Sequence, residues 1–300
     1  GIGVAAAGHW GIVMAPFHVA LIVMPALLLF ALALLGGGPL AGVSRRQALL
    51  LFTTGVLSTL LTIPVELLGL VFSGVLVAMG AAFIPGGQAE LASLALQMEQ
   101  WAQLTPEALT PDILTTLFAS PIVLAVAFLT LAVITPVVEE VLKTALLVGI
   151  GFRRRPRPLQ AFLWGAAAGI GFAVIEGVFN SAASLTDTAS WLAGVGTRIP
   201  ATAMHAFTSG LVGLGWGYFW SGRKRWLLPL CYVAAILFHG LWNFSVIAVA
   251  GTQALLTLPR WLTGTAGVIG TLIVGGLALM ALVGVIVVPI SLRKRSAAAQ

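Results

Sequence analysis

The chain has 300 residues, of which 59% are hydrophobic and only 8% are charged, whereas a soluble domain carries about 25% Asp, Glu, Lys and Arg. Arranged in apolar runs long enough to span a bilayer, this composition excludes a cytosolic enzyme, a nucleic-acid-binding domain and a disordered tail. The net charge of +6 does not point to nucleic acid, because the basic residues sit in short clusters between apolar runs, as membrane topology requires. One cysteine, Cys231, excludes an intrachain disulfide and a cysteine-based metal site.

In chain order, the first apolar run (11–35) has no basic segment before it and is long enough to remain in the bilayer, so it reads as a retained crossing and not as a cleaved leader. His18 shares it with Pro16 and Pro25 and reads as a packing residue. Arg45 and Arg46 follow. The stretch 47–152 holds apolar runs at 47–84 and 113–152. The expected arrangement is one crossing at 47–70, bent at Pro64, and one at 127–152, bent at Pro136. Between them 71–126 forms an external or interfacial insertion. It carries Glu90, Glu99, Glu107 and Asp112, and Leu91, Leu94, Leu96 and Trp101 are spaced as on an amphipathic helix. The alternative is four crossings in 47–152, with hairpins at Pro64 and Pro136. Further on, crossings at 159–183 and 197–220, then 226–250 and 264–290, turn in short loops at 184–196 and 251–263.

Twelve of the fifteen Lys and Arg residues fall into four clusters: Arg45 and Arg46; Arg153, Arg154, Arg155 and Arg157; Arg223, Lys224 and Arg225; Arg293, Lys294 and Arg295. The positive-inside rule puts all four on the cytoplasmic side, with the N-terminus outside and the C-terminus cytoplasmic. Trp226 and Trp261 read as interface anchors. The expected fold is all-α: a polytopic transmembrane helix bundle of about seven crossings, eight or nine if 47–152 folds into more. It forms one integral membrane domain over 1–300, with a helical core at 127–250.

Polar residues inside the apolar runs carry the functional signal. Of the nine acidic residues, Asp187 and the four of 71–126 lie in expected loops, leaving Glu66, Glu139, Glu140 and Glu176 within the membrane. An ionised group at mid-bilayer costs roughly 3 kcal/mol on the insertion scale, so each is a functional candidate. Glu66, two residues after Pro64, either satisfies backbone groups freed by the proline or sits in an interfacial layer, and is left out of the site. His205, His239, Asn180 and Asn243 lie in apolar runs too. At 1.5 Å per residue, Glu140 stands roughly 20 Å from Arg153, His239 about 21 Å from Arg225, Glu176 about 28 Å from Arg157 and His205 about 27 Å from Arg223. Four helices thus bring carboxylates and imidazoles to a shared layer. Lys143 follows Glu139 and Glu140 by four and three residues and shares their helix face. Glu176 and Asn180 lie one turn apart, as do His239 and Asn243.

Glu139-Glu140-x-x-Lys143, Phe172-x-x-x-Glu176, His205 in Met-His-Ala-Phe-Thr-Ser-Gly, and His239-Gly-x-x-Asn243, in this order on separate helices, resemble the motifs of the PrsW intramembrane proteases. That family is related to the CAAX-protease and bacteriocin-processing membrane proteins. The similarity covers about 127–245. Gly177 stands where the family often has Asn, and Asn243 where it often has Asp. The resemblance implies an intramembrane endopeptidase of a prokaryotic plasma membrane. Its substrate would be a membrane-anchored protein, such as an anti-sigma factor.

Two chemistries suit these residues. In the first, a divalent metal ion, zinc by donor type, is held by Glu176, His205 and His239, with water in the fourth position. Glu140 or Glu139 is then the general base, and Lys143 tunes the pair. In the second, metal-free chemistry, the Glu139–Glu140 doublet activates water directly while the imidazoles and Asn243 stabilise the oxyanion. The catalytic set is then Glu139, Glu140, Lys143 and Asn243. A different class, a proton-coupled transporter or channel, would use the same Glu and His residues as a relay.

Overall fold

The computed structural model describes residues 2–38, 41–103, 116–117, 119–182, 188–254 and 260–298. Glu107, Asp112, Asp187 and the side chain of Trp261 lie outside the described residues. Among those described there is no strand. The helices are α1 (Ile2–Gly37), α2 (Arg45–Ala82), α3 (Gly87–Ala102), α4 (Pro121–Phe128), α5 (Thr135–Arg154), α6 (Pro158–Ala182), α7 (Thr188–Trp220), α8 (Leu227–Ala254) and α9 (Arg260–Ala297). A π-helical segment, Leu129–Ile134, joins α4 to α5.

Among the described residues six segments are long and apolar enough to cross a membrane: Ala15–Gly37, Arg45–Ala82, Pro121–Arg154, Pro158–Ser181, Leu227–Val249 and Gly264–Ala297. They match, in order, six of the seven expected crossings, and the chain is a polytopic helical membrane protein. The seventh expected crossing, 197–220, is helical within α7. Arg198, His205, the hydroxyls and the glycines of this stretch keep it less apolar than the other six. The four basic clusters fall where α2 begins, where α5 gives way to α6, where α7 gives way to α8, and at the end of α9.

Boundaries differ most around the expected insertion. α2 runs through Pro64 to Ala82, so its first part, 71–82, continues the preceding crossing. The chain leaves this helix at Pro85-Gly86, where Gly86 adopts φ 82°, a conformation that favours glycine. α3 then forms, with Leu91 and Leu94 half-buried and Leu96 exposed.

Contacts divide the chain into two compact units. The first comprises 1–62, 139–239 and 276–300, the second 63–138 and 240–275. The first and last helices contribute residues to the unit that holds 139–239.

Within the first unit α6 is the central helix, buried continuously from Ala161 to Val174. It can be central because it is made of small residues. A Cβ on Gly165 would lie 2.0 Å from the Ser209 carbonyl oxygen, and one on Gly169 would lie 2.2 Å from that of His205. From the other side, a Cβ on Gly213 of α7 would lie 2.2 Å from the Ala161 oxygen, and one on Gly55 of α2 would lie 1.9 Å from the Ala168 oxygen. Two glycines four residues apart place the backbones of α6 and α7 in direct contact, the small-xxx-small packing expected where lipid supplies no hydrophobic drive between helices.

α1 is tied to the same pair by His18, 2% exposed. The Trp191 indole N–H donates to His18 Nδ1 at 3.1 Å, which leaves Nε2 as the protonated nitrogen, 3.2 Å from the Val178 carbonyl oxygen. His18 is a fully bonded packing residue, as its surroundings in the sequence suggested.

Gly169→Ala is expected to destabilise the protein by about 1–3 kcal/mol, because a methyl group would press on the backbone that carries His205. Gly149→Ala, which meets nothing within 4 Å, should leave stability unchanged or slightly raised. Thermal unfolding of the two variants in detergent compares them directly.

Candidate active site

Four helices supply the polar cluster: α5 carries Glu139, Glu140 and Lys143; α6 carries Glu176; α7 carries His205; α8 carries His239. All six residues belong to the first unit. Glu140 and Lys143 have no exposed surface, His205 and His239 are 2% and 1% exposed, and Glu139 5%. The Glu176 side chain, 24% exposed, is the most open member.

Lys143 is the electrostatic centre. Its Nζ lies 2.7 Å from Glu139 Oε2, 3.0 Å from Glu140 Oε1 and 2.8 Å from His205 Nδ1. An ammonium donates and does not accept; two hydrogen bonds go to Glu140 and His205, and Glu139 completes the set as an ion pair. The Phe172 ring lies beneath it, 4.3 Å from Nζ to the ring centroid, and adds a cation–π contact. Phe172 stands one turn before Glu176, which gives that position in the second motif a physical role.

Glu140 is saturated. Its Oε1 accepts from Lys143, from the Thr208 hydroxyl at 3.0 Å and from His239 Nδ1 at 3.0 Å, and its Oε2 accepts from the Ser209 hydroxyl at 3.3 Å. A carboxylate only accepts, so His239 Nδ1 carries the proton and Nε2 presents its lone pair. His205 follows the same logic in reverse. Lys143 donates to Nδ1, so Nε2 carries the proton and faces Glu176 Oε2 at 2.6 Å as an ion-pair contact. Each imidazole is thereby held in one tautomer by one carboxylate, the arrangement that orients metal-ligating histidines.

The two lone pairs and one carboxylate oxygen converge. Glu139 Oε2 lies 3.9 Å from His205 Nδ1 and 3.8 Å from His239 Nε2. Among the described residues Glu139, His205 and His239 form a group able to hold a metal ion, with donor atoms within 4.8 Å of one another. Two imidazole nitrogens and a carboxylate oxygen suit a divalent cation such as zinc.

This group differs from the expected ligand set in one member, with Glu139 in place of Glu176. Glu176 lies on the Nε2 side of His205, and one imidazole cannot aim both nitrogens at a single point. Glu176 pairs with His205 from that side, and Glu139 faces its other nitrogen.

Residues 66–288 match the family model described as PrsW family intramembrane metalloprotease. The chain belongs to the PrsW family. No curated protein and no solved structure matches it. The match and the membrane-spanning helices make it an integral membrane protein of an intramembrane protease family, and the proton-relay transporter is not favoured.

Three polar residues of this PrsW site were missed in the sequence. Thr208 and Ser209 stand three and four residues after His205, one turn on along its face, a signal present in the motif but unused. Arg198 lies seven residues before His205, two turns away on the same face. Its Nη1 is 3.5 Å from Glu176 Oε1, which also accepts from Asn180 Nδ2 at 2.7 Å. A Cβ on Gly177 would lie 3.3 Å from Arg198 Cδ and 3.2 Å from Ile22 Cγ2. The glycine that replaces the family's frequent Asn thus leaves room for the arginine stem, and Arg198 supplies a donor to Glu176.

Asn243 is placed differently from the other six. It belongs to the second unit, and its Nδ2 donates to the Leu131 carbonyl oxygen at 2.8 Å. The backbone explains this bond. In the π segment the Thr135 N–H bonds Thr130 and not Leu131, and the next residue, Pro136, has no N–H to offer. The Leu131 carbonyl is therefore deprived of both helical donors, and Asn243 replaces them. One of the two N–H donors of the Asn243 amide is spent on that carbonyl. Asn243→Leu is expected to cost about 1–3 kcal/mol of stability by stranding that carbonyl away from water, read as a lowered unfolding midpoint in detergent.

Proposed function

We propose that this PrsW protein hydrolyses a peptide bond of a membrane-anchored protein at the point where Glu139 Oε2, His205 Nδ1 and His239 Nε2 converge. That convergence, with each histidine clamped from behind by a carboxylate, is the observation that carries the reading. Glu139, His205 and His239 are the residues that would hold a divalent metal ion, zinc by donor type. Such an ion supplies Lewis acidity to the scissile carbonyl and makes water a stronger acid.

The remaining chemistry belongs to the chain. Oε2 is the Glu139 oxygen that faces both imidazoles; the other oxygen of the same carboxylate, Oε1, is the proton acceptor for the attacking water, because Glu140 and Glu176 are each paired with an imidazole. The same carboxyl returns the proton to the leaving amine nitrogen. Glu140 keeps His239 in the tautomer that points Nε2 inward, and Thr208 and Ser209 anchor Glu140. Glu176 does the same for His205, with Asn180 and Arg198 holding its other oxygen. Burial of the cluster keeps bulk water from competing with these contacts and strengthens each of them.

The substrate class is a single-span or otherwise membrane-anchored protein, an anti-sigma factor being one such molecule. The four basic clusters support a cytoplasmic C-terminus and an outer N-terminus, and the family resemblance supports a prokaryotic plasma membrane.

The test uses purified protein and a single-span substrate in proteoliposomes, with cleavage products identified by mass spectrometry. Wild type is expected to cleave, and Glu139→Gln to lose about 10²–10⁴-fold in rate while remaining folded. Unchanged cleavage by Glu139→Gln would sink the assignment. Glu140→Gln weakens the hold on His239, and a drop of about 10–100-fold in metal affinity is expected, measured by zinc titration of chelator-treated protein.

A further inference from the structure

The position of Lys143 has a consequence beyond counter-charge, and it rests on the reading that Glu139, His205 and His239 are the metal donors. Two of the three acceptors gripped by its ammonium, Glu139 Oε2 and His205 Nδ1, are atoms of that donor set. These two atoms are 3.9 Å apart. A metal ion at the usual ligand distance of about 2.0–2.2 Å from both must lie near the midpoint between them, roughly 2 Å from Nζ in the triangle the three atoms form. Two cations cannot approach that closely, so ammonium and metal exclude each other.

We propose that Lys143 is a placeholder cation. It occupies the metal position, neutralises the buried Glu139–Glu140 doublet so that the four helices assemble before metal arrives, and withdraws when metal enters. The lysine suits this task. A divalent ion replaces the charge that the doublet needs, and the flexible four-carbon stem lets a point charge leave without moving α5. Arginine would not suit it, since a planar guanidinium grips a carboxylate at two points. Phe172 beneath the ammonium stabilises the lysine-filled state alone, because the ring favours the lysine cation while it is seated. Metal affinity of the wild-type protein is accordingly set by a competition inside the site as well as by the three ligands.

Chelator-treated full-length protein in nanodiscs is titrated with zinc against a chromophoric competitor, for wild type, Lys143→Met and Lys143→Gln. Met keeps the length and apolar stem of the lysine. Gln removes the charge but keeps an N–H donor for the carboxylates, and provides the measurement if the Met variant does not fold. Both folded variants are expected to bind zinc at least tenfold more tightly than wild type. Without metal they should unfold at a lower temperature, and zinc should raise that temperature more than it does for wild type. Equal or weaker zinc binding by the folded variants overturns the placeholder role and leaves the donor set standing. Zinc binding that is unchanged in His205→Ala overturns the donor set itself, and the placeholder role with it.

Discussion

Two carboxylates side by side on one helix, with almost no exposed surface, are the constraint around which this protein is organised. Hydrocarbon offers them nothing, and a buried charge left without a partner costs several kcal/mol. Every donor within reach is therefore recruited: the ammonium of Lys143, the hydroxyls of Thr208 and Ser209, and the N–H of His239. Their demand for donors draws α7 and α8 onto α5. Once those helices are in place, the same hydrogen bonds orient the imidazoles, so compensation of charge and construction of a reactive centre are one event.

The chemistry could not be held this way without close backbones. α6 and α7 touch at Gly165 and Gly169, and the oxygen facing Gly169 belongs to His205 itself. The depth of the imidazole in the cluster is thus set by a contact in which no side chain takes part. His18 closes the same assembly from α1, bonding Val178 on α6 and Trp191 on α7 with its two ring nitrogens. Both devices suit lipid, where association depends on packing and hydrogen bonds more than on the exclusion of water.

Gly177 and Arg198 act together beside Glu176. Gly177 leaves space next to Glu176, and Arg198 fills it from the neighbouring helix, so the carboxylate behind His205 has its other oxygen engaged. Asn243 shows how a motif residue can serve the backbone. The π segment and Pro136 together strip the Leu131 carbonyl of donors, and an amide side chain is the group that can supply one.

The sequence by itself determined the polytopic helical class and the membrane spans, since both follow from local apolar composition and length. It also determined which ionisable residues could not be lipid-facing, since the cost of burying a charge depends on the residue and its neighbours along the chain. Glu139, Glu140, Lys143, Glu176, His205 and His239 were legible on those grounds, and Asn243 was legible as polar but not as a partner of Leu131. Only the tertiary structure decided the division of labour among them. Which carboxylate faces the lone pairs and which stands behind them depends on the rotation of each helix about its axis and on which ring nitrogen is already bonded. Neither quantity is encoded in spacing along one helix: a residue's own turn places Glu176 and Glu139 equally well near a histidine, and the contact between α6 and α7 chooses between them.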